Sequence, residues 1–244
     1  MAKIIAYPFS VLYYFFFGTL LLIFHPVQVL AFRFIGPHAQ KKTIDVLNFF
    51  LIACLSILGI RVRFKNTFNF PEQRTLIFVS NHQSTYDIPP LIWFLRRFSP
   101  KFVAKAELGH GLPSISYHLR NGGNVLIDRK DSAKAITAIE AFCGTVYENR
   151  WAVAIFPEGT RSRNGNAKKF QKAGLRTILK KIPDALLVPV SINNSWLLAQ
   201  WNYFPMPLGV KISITTQSPI DPQITGFEDA LEAVETAVVN GIKN

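Results

Sequence analysis

The sequence is poor in the residues that build disulfide frameworks and metal sites. Only two cysteines, Cys54 and Cys143, occur among 244 residues, and both lie in apolar surroundings. Such cysteines are typical of buried free thiols in a reducing compartment. The five histidines show no spacing that would ligate a metal. We therefore expect no disulfide and no metal ion, and the sequence implies no cofactor.

Several catalytic motifs are also missing. There is no Gly-x-Ser-x-Gly elbow, which disfavours an α/β-hydrolase, and no Gly-x4-Gly-Lys-Ser/Thr loop, which disfavours a P-loop nucleotidase. The segment Gly109-His110-Gly111 lacks the remaining glycine of a dinucleotide-binding fingerprint. These absences leave the chemistry to be found in other polar clusters.

Acidic residues are scarce relative to basic ones. The chain has 15 acidic and 27 basic side chains, a formal charge of +12, and a hydrophobic fraction of 49%. This balance favours anionic partners: nucleic acid, an anionic membrane surface or a phosphorylated substrate. No zinc-finger spacing, RNP-type aromatic pattern or basic heptad helix is found, so we expect no nucleic acid. The basic residues lie beside very apolar segments, which favours a membrane surface.

The N-terminal segment has no charged side chain between Lys3 and Arg33. Residues 4–24 are an apolar run of 21 residues, which as a helix would reach about 30 Å, the thickness of a bilayer core. A second apolar run, residues 46–60, is short for a membrane span and more suited to a re-entrant or interfacial helix. We predict that residues 1–65 are membrane-anchoring helices.

Two arrangements of these helices stay open. If only the first helix spans the membrane, the flanking basic residues place residues 33–244 in the cytoplasm. Alternatively, both helices enter one leaflet as a hairpin. In either arrangement we expect the protein at the cytoplasmic membrane, with its catalytic domain on the cytoplasmic face. A helix pair buried in a soluble protein is the non-membrane alternative.

Residues 66–244 alternate strand-like and helical segments, which predicts one α/β domain with a mixed, largely parallel sheet flanked by helices. The predicted strands are Thr75–Ser80, Lys101–Lys105, Asn124–Ile127, Trp151–Phe156, Ala185–Ile192 and Lys211–Thr215. The predicted helices are Ile88–Arg97, Ser132–Asn149, Ala167–Lys181 and Phe227–Ile242.

The polar cluster Asn81–Asp87 follows the first of these strands and precedes a helix that is entered through proline. His82 and Asp87 are five residues apart and can meet across such a turn. The carboxylate can then fix the tautomer of the imidazole and stabilise its charged form, which leaves the other ring nitrogen free as a base. A structural hydrogen bond is the alternative interpretation of the pair.

A second polar cluster, Phe156–Ser162, follows the strand-like run Trp151–Ile155. Two polar clusters that each end an apolar strand are what an α/β sheet uses to build a site.

Four stretches together resemble, in order and spacing, the four sequence blocks of the glycerolipid acyltransferase family. They are Asn81–Asp87, Gly123–Arg129, Phe156–Ser162 and Val188–Ile192. The resemblance implies transfer of a fatty acyl group from acyl-CoA or acyl carrier protein to the sn-2 hydroxyl of lysophosphatidic acid, which gives phosphatidic acid. It also implies an N-terminal helical pair that embeds in one leaflet.

We predict that His82 takes the proton of the substrate hydroxyl and that Asp87 orients the imidazole of His82. The absence of a convincing serine or cysteine nucleophile favours direct attack of that hydroxyl on the thioester. Ser84 is poorly placed for activation by His82, because the two residues are only two positions apart on a tight turn.

The resemblance assigns phosphate binding to Arg129, and Arg161 is the other candidate. It assigns the glycerol part of the acceptor to the block with Glu158, Gly159 and Thr160. Structural ion pairs, of Arg129 with Asp128 or of Glu158 with Arg161 or Arg163, are the alternatives.

The sequence departs from the family near Lys172, where an extra alanine shifts a Phe-Lys-Lys-Gly pattern and puts the contribution of that lysine in doubt. Lys105 and Glu107 are weaker candidates for the site. Other functions also stay open: a lysophospholipid or amino-lipid acceptor of another kind, a thioesterase, or a non-catalytic lipid-binding protein.

Overall fold

The fold is built on one seven-stranded sheet in a computed structural model that describes residues 2–71 and 73–243. The strand order is β1-β7-β6-β2-β5-β3-β4, and every described pair is parallel except β6 with β7. This arrangement confirms the predicted fold class. The strands are β1 Arg61–Lys65, β2 Leu76–Ser80, β3 Lys101–Lys105, β4 Val125–Ile127, β5 Val153–Ile155, β6 Leu186–Asn193 and β7 Lys211–Thr216.

Helices cover both faces of the sheet. On one face lie α1 and α2, whose Tyr13 and Ile44 share a core with Phe78 of β2. On the other face the neighbouring Ile77 of β2 packs with α5, α6 and α8. The helices are α1 Ala2–Phe34, α2 Pro37–Cys54, α3 Ile88–Phe94, α4 Ile115–Asn121, α5 Ser132–Glu148, α6 Lys172–Lys181, α7 Pro222–Thr225 and α8 Phe227–Asn240.

The central strands β2 and β6 are buried along their whole length. A strand in a parallel sheet that is covered on both faces is apolar without alternation, which is why both strands are visible in the sequence as continuous hydrophobic runs. Because β2, β3, β4, β5 and β6 run in the same direction, they all end at one edge of the sheet. We call this the carboxyl edge.

The edge strand β1 is missing from the sequence predictions. Its residues alternate between exposed basic and half-buried apolar side chains, a pattern that also fits the basic flank of an N-terminal helix. In the structure they pair in parallel with Lys211–Thr215 of β7. The sheet thus begins before residue 66, at which the sequence analysis starts the α/β domain.

Some predicted helix bounds are wrong. The helix predicted from residue 167 begins only at Lys172, because the preceding chain is held by other bonds: the Phe170 N–H donates to the Glu235 carboxylate and the Gln171 N–H to the Pro157 carbonyl. The helix predicted over residues 88–97 ends at Phe94, and a 3-10 turn over Arg96–Phe98 follows.

Helix α1 is the one described helix whose length and composition would allow it to cross a membrane, with a mean hydropathy of 1.9 over its most apolar 18 residues. It forms a hairpin with α2, and one side of α1 is exposed although it is apolar. Its most exposed side chains include Ile4, Ile5, Val11, Leu12, Phe15, Leu22 and Ile23.

The other side of α1 contacts the α/β domain along the length of the helix. Near its start, the Tyr14 hydroxyl donates to the Tyr203 carbonyl over 2.7 Å. In its middle, the Leu21 carbonyl accepts from the Ser114 hydroxyl over 2.7 Å. Near its end, the ring of Phe32 packs edge-on against Tyr117. The helix therefore lies along the domain over most of its length.

Candidate active site

His82 lies two residues beyond β2, at the carboxyl edge. Its Nδ1 is 2.8 Å from Oδ2 of Asp87, so the 3-10 turn over Thr85–Asp87 brings the two predicted residues together. The imidazole stacks on the ring of Phe156, with the centroids 4.2 Å apart, and 18% of its side chain is exposed. Among the residues that the structure describes, no hydrogen-bond partner of Nε2 is found.

The Asp87 carboxylate is fully buried and saturated with donors. Its Oδ2 accepts from the backbone N–H groups of Gln83 and Ser84 over 2.8 and 2.9 Å, and its Oδ1 accepts from the Ser195 hydroxyl. Together with Nδ1 of His82, these donors hold the carboxylate in one orientation. A carboxylate beside Nδ1 keeps the proton of neutral His82 on that nitrogen, so the lone pair lies on Nε2.

Two buried amides next to His82 tie the first cluster to β6 and to two neighbouring loops. Asn81 donates to the Ile192 carbonyl over 2.8 Å and accepts from the Ile192 N–H over 2.7 Å. Gln83 accepts from the backbone N–H of Ser195 over 3.1 Å and donates to the Gly165 carbonyl over 3.0 Å. Together these bonds fix the backbone on both sides of the histidine.

Ser84 is not arranged as a nucleophile. Its side chain is fully buried, and its hydroxyl accepts from the Tyr86 N–H at the start of the 3-10 turn. The Ser84 hydroxyl is therefore engaged in the turn, and direct attack by the substrate hydroxyl stays a prediction.

The second cluster follows β5 and is bonded directly to the first. The Ser162 N–H donates to the His82 carbonyl over 2.7 Å, and the His82 N–H donates to Oε1 of Glu158 over 3.0 Å. Since β5 pairs with β2, the two clusters are neighbours at the carboxyl edge, as the strand pattern predicts.

Glu158 is a buried carboxylate with one oxygen free of protein partners. Its side chain is 5% exposed, and Oε2 is buried with no partner among the described residues. Burial raises the pKa of Glu158 to about 7, against the lowering effect of the N–H groups of His82 and Lys168. It forms no ion pair with Arg161, so that alternative is not what the structure shows.

Of the next residues of this cluster, Thr160 and Arg161 are exposed and Gly159 is half-buried. Gly159 has a φ of 69°, in the left-handed region that favours glycine, and it turns the chain after Glu158. Arg161 donates to the Thr85 hydroxyl over 2.6 Å and to the Tyr203 hydroxyl over 3.0 Å. Thr160 accepts from the Lys168 ammonium over 2.9 Å. The turn thus places a guanidinium directly beside the first cluster.

Arg129 is farther from His82. It follows β4, which is separated from β2 by β3 and β5, and three steps across the sheet correspond to about 14 Å. The residue is exposed as a whole and makes no described ion pair with Asp128, whose carboxylate accepts from the Lys130 N–H. Partial desolvation lowers the pKa of Arg129. It lies at the same edge as His82 but not in contact with it.

The weaker candidates are engaged elsewhere. Lys172 lies 3.2 Å from the Glu235 carboxylate of α8, so its ammonium points toward the helix layer. Lys105 and Glu107 pair with each other on the surface.

Sequence reasoning missed four residues that shape the site: Gln83, Ser195, Phe156 and Tyr203. Gln83 carries a usable signal, because a polar residue directly after a buried strand must find partners. Ser195 and Tyr203 carry no such signal, because their partners are distant in sequence. Ser195 contacts Asp87, more than 100 residues away, and Tyr203 contacts Arg161, about 40 residues away.

The fold and this geometry define a class of α/β protein. Its histidine–aspartate pair lies at the carboxyl edge and can take a proton from a hydroxyl group. A buried carboxylate and an arginine lie beside the pair. The family model described as Acyltransferase matches residues 61–193. This match covers more than half of the chain, so the protein belongs to the acyltransferase family.

Relatives with a more specific name are similar over part of their length. The 1-acyl-sn-glycerol-3-phosphate acyltransferase of Borreliella burgdorferi is 30% identical over 150 residues, which are 59% of this chain and 57% of that protein. The protein of the same name from Helicobacter pylori is 33% identical over 127 residues, 49% of this chain and 51% of its own. The sheep enzyme of the alpha type is 26% identical over 63% of this chain and 52% of its own. The chain thus spans about half the length of these relatives.

A solved structure shares the whole fold. The crystal structure of the 1-acyl-sn-glycerophosphate acyltransferase PlsC from Thermotoga maritima matches with a TM-score of 0.80 and 24% identity. The match covers 99% of this chain and 96% of that one, and so includes the N-terminal helices.

Proposed function

We propose that this protein transfers a fatty acyl group from an acyl thioester to the sn-2 hydroxyl of 1-acylglycerol 3-phosphate, which gives phosphatidic acid. The observation that carries the proposal is the open Nε2 of His82, on an imidazole that a buried carboxylate orients. The names of the relatives, all acyltransferases for this acceptor, supply the substrate class.

In the proposed reaction, Nε2 of His82 takes the proton of the acceptor hydroxyl as its oxygen attacks the thioester carbonyl. The carbon–sulfur bond then breaks, and the imidazolium returns the proton to the departing thiolate. Asp87 stabilises the imidazolium between these two steps. No group on the enzyme is acylated, in keeping with the buried position of Ser84.

The acceptor is held by the second cluster. The guanidinium of Arg161 is adjacent to the His82 turn and can bind the phosphate with two parallel hydrogen bonds. The free Oε2 of Glu158 can accept from a glycerol hydroxyl, beside the turn of Gly159 and Thr160. Arg129 assists from farther along the carboxyl edge, where it attracts the phosphate or the phosphates of the donor.

The acyl donor is acyl-CoA or acyl carrier protein. Both are anionic, and both would be attracted by a chain with a formal charge of +12. No cofactor takes part in this scheme.

The protein binds a membrane surface through α1 and α2, with the catalytic domain on the cytoplasmic face. The contacts of α1 with the domain from Tyr14 to Phe32 favour a hairpin in one leaflet, because an upright span would carry most of the helix away from the domain. The exposed apolar side of α1 would then face the lipid. Arg33 and Lys42, on either side of the turn of the hairpin, are exposed and suit an anionic cytoplasmic surface.

Thiol release by the detergent-purified protein tests the proposal. A long-chain acyl-CoA or acyl carrier protein is supplied with and without 1-acylglycerol 3-phosphate, and the lipid product is identified by mass spectrometry. We expect release that depends on the acceptor and yields phosphatidic acid. Release without acceptor would point to a thioesterase, and transfer only to lysophospholipids with other head groups would change the acceptor.

A further inference from the structure

Residues 200–209, here called the bridging loop, lie between β6 and β7 at the carboxyl edge. They follow a 3-10 turn over Ser195–Ala199 and pack on the first half of α1. The Met206 N–H donates to the Ser10 hydroxyl over 2.8 Å, and the Tyr203 carbonyl accepts from the Tyr14 hydroxyl over 2.7 Å. Both contacts join a surface loop to the apolar helix. The position of the loop is therefore fixed by α1.

The outer side of the bridging loop continues the exposed apolar side of α1. The rings of Phe204 and Tyr7 meet edge to face, with centroids 5.5 Å apart. Phe204 is 49% exposed and Tyr7 is 42% exposed. Leu208 is 38% exposed on the same loop, and the Lys3 ammonium lies over the ring of Trp201 at 5.8 Å. An exposed aromatic and aliphatic patch with a lysine beside it is suited to the boundary between lipid tails and head groups.

The inner side of the same loop reaches the candidate site. The Tyr203 hydroxyl accepts from Arg161 over 3.0 Å, while the Thr85 hydroxyl accepts from the same guanidinium nitrogen. The Tyr203 ring also packs against Tyr86, within the turn that carries Asp87. One loop thus contacts both the apolar helix and the arginine that faces the acceptor.

We propose that the bridging loop contacts the phospholipid bilayer through Phe204 and Leu208, and that its Tyr203 positions Arg161 to receive the phosphate of the membrane-borne acceptor. The role of Tyr203 rests on the proposed function, whereas the membrane contact does not. The phosphate of a lysophospholipid lies at the level of the head groups. A loop whose outer residues enter the lipid would hold Arg161 at that level.

The membrane contact can be measured without activity. In a background in which Cys54 and Cys143 are replaced by alanine, Phe204→Cys is labelled with bimane and mixed with vesicles of phosphatidylethanolamine and phosphatidylglycerol. We expect a blue shift and strong quenching by nitroxide-labelled lipids. The control is Ile224→Cys, which is 85% exposed on α7, beside α8 on the opposite face of the sheet. Equal quenching at the two positions would overturn the contact.

The positioning role is tested by Tyr203→Phe, which keeps the ring and removes the oxygen that accepts from Arg161. We expect KM for a short-chain, water-soluble 1-acylglycerol 3-phosphate to rise about fivefold, as for loss of one hydrogen bond. The value of kcat and KM for the donor should stay unchanged. Tyr147→Phe, at an exposed position of α5, is the matched control.

A double variant separates positioning from general damage. If Tyr203 acts through Arg161, Tyr203→Phe should add nothing to the KM of Arg161→Ala. An unchanged acceptor KM in Tyr203→Phe, or full additivity with Arg161→Ala, would overturn the positioning role. If the wild-type protein does not transfer acyl groups to any phosphate-bearing acceptor, both the proposed function and the positioning role of Tyr203 fail. The bimane measurement still decides the membrane contact in that case.

Discussion

The two polar clusters differ in how their side chains are held. The first cluster holds Asp87 without solvent exposure among four donors, and the flanking Asn81 and Gln83 are bonded to β6 or to residues that follow it. In the second cluster, Arg161 and Thr160 are exposed and bonded to other surface groups. The comparison indicates a division of labour: the buried first cluster fixes the geometry of proton transfer, and the exposed residues of the second cluster capture a charged ligand. Substitutions should therefore act on kcat in the first and on the acceptor KM in the second.

Among the substitutions around His82, the largest effect is expected for Asp87→Asn. The amide oxygen can still accept from the N–H groups of Gln83 and Ser84 and from Nδ1 of His82, so the turn and the tautomer are kept. The negative charge that stabilises the imidazolium is lost, and we expect kcat to fall by about 10²-fold. Steady-state kinetics would measure it, with circular dichroism as the control for folding. A kcat within twofold of wild type would remove the distinction between the two clusters.

Arg161→Ala is expected to act mainly on acceptor binding. Loss of a charge-assisted hydrogen bond to phosphate corresponds to about 2 kcal/mol, or about 30-fold in acceptor kcat/KM. The rise should lie in the KM for 1-acylglycerol 3-phosphate and not in that for the donor. Arg63→Ala on the edge strand β1 is the matched control. Equal changes in both KM values would argue against phosphate binding by this residue.

Glu158→Gln should change the pH dependence of stability. The folded-state pKa of Glu158 is about 7, above the ordinary value of a glutamate. Between these two pKa values the folded state binds more protons than the unfolded state, so stability falls as the pH rises from the lower value to the higher one. Glutamine keeps an oxygen for the His82 N–H and carries no charge. We expect equal stability of variant and wild type at pH 4, and a gain of about 2 kcal/mol above pH 7. Thermal unfolding in detergent at several pH values would measure it, and a constant difference across pH would contradict it.

Ser195→Ala is expected to have the smallest effect. The substitution removes the hydroxyl that donates to Oδ1 of Asp87, but three other donors to this carboxylate remain. We expect kcat to fall by about fivefold, as for one hydrogen bond, with the acceptor KM unchanged. Ser132→Ala, at the exposed start of α5, serves as the control. A rise in acceptor KM instead would place Ser195 in ligand binding.

The fold was largely predictable because its central strands are apolar without alternation and each ends in a polar cluster. The edge strand β1 escaped prediction because its alternating basic residues resemble a membrane flank. The late start of α6 also could not be read from the sequence. Phe170 is bonded to Glu235, which is far away in the sequence, and Gln171 is bonded to Pro157, which lies in the turn after β5.

The contact of His82 with Asp87 was predictable because it is local. The roles of Ser195 and Tyr203 depend on which strands become neighbours, and no local pattern records that. The strand pattern alone does not separate the two arginines, since each follows a strand, and only the resemblance to the family favoured Arg129. The strand order separates them: Arg161 follows the immediate neighbour of β2, and Arg129 follows the third strand from it.

The most direct test of the account is the acceptor-dependent rate of His82→Ala, measured beside wild type by thiol release and by phosphatidic acid formation. A positioned base contributes about 10²- to 10⁴-fold, so we expect a loss of this size while the variant still binds vesicles as wild type does. A rate close to wild type in a folded, vesicle-bound His82→Ala protein would contradict the claim that His82 is the base.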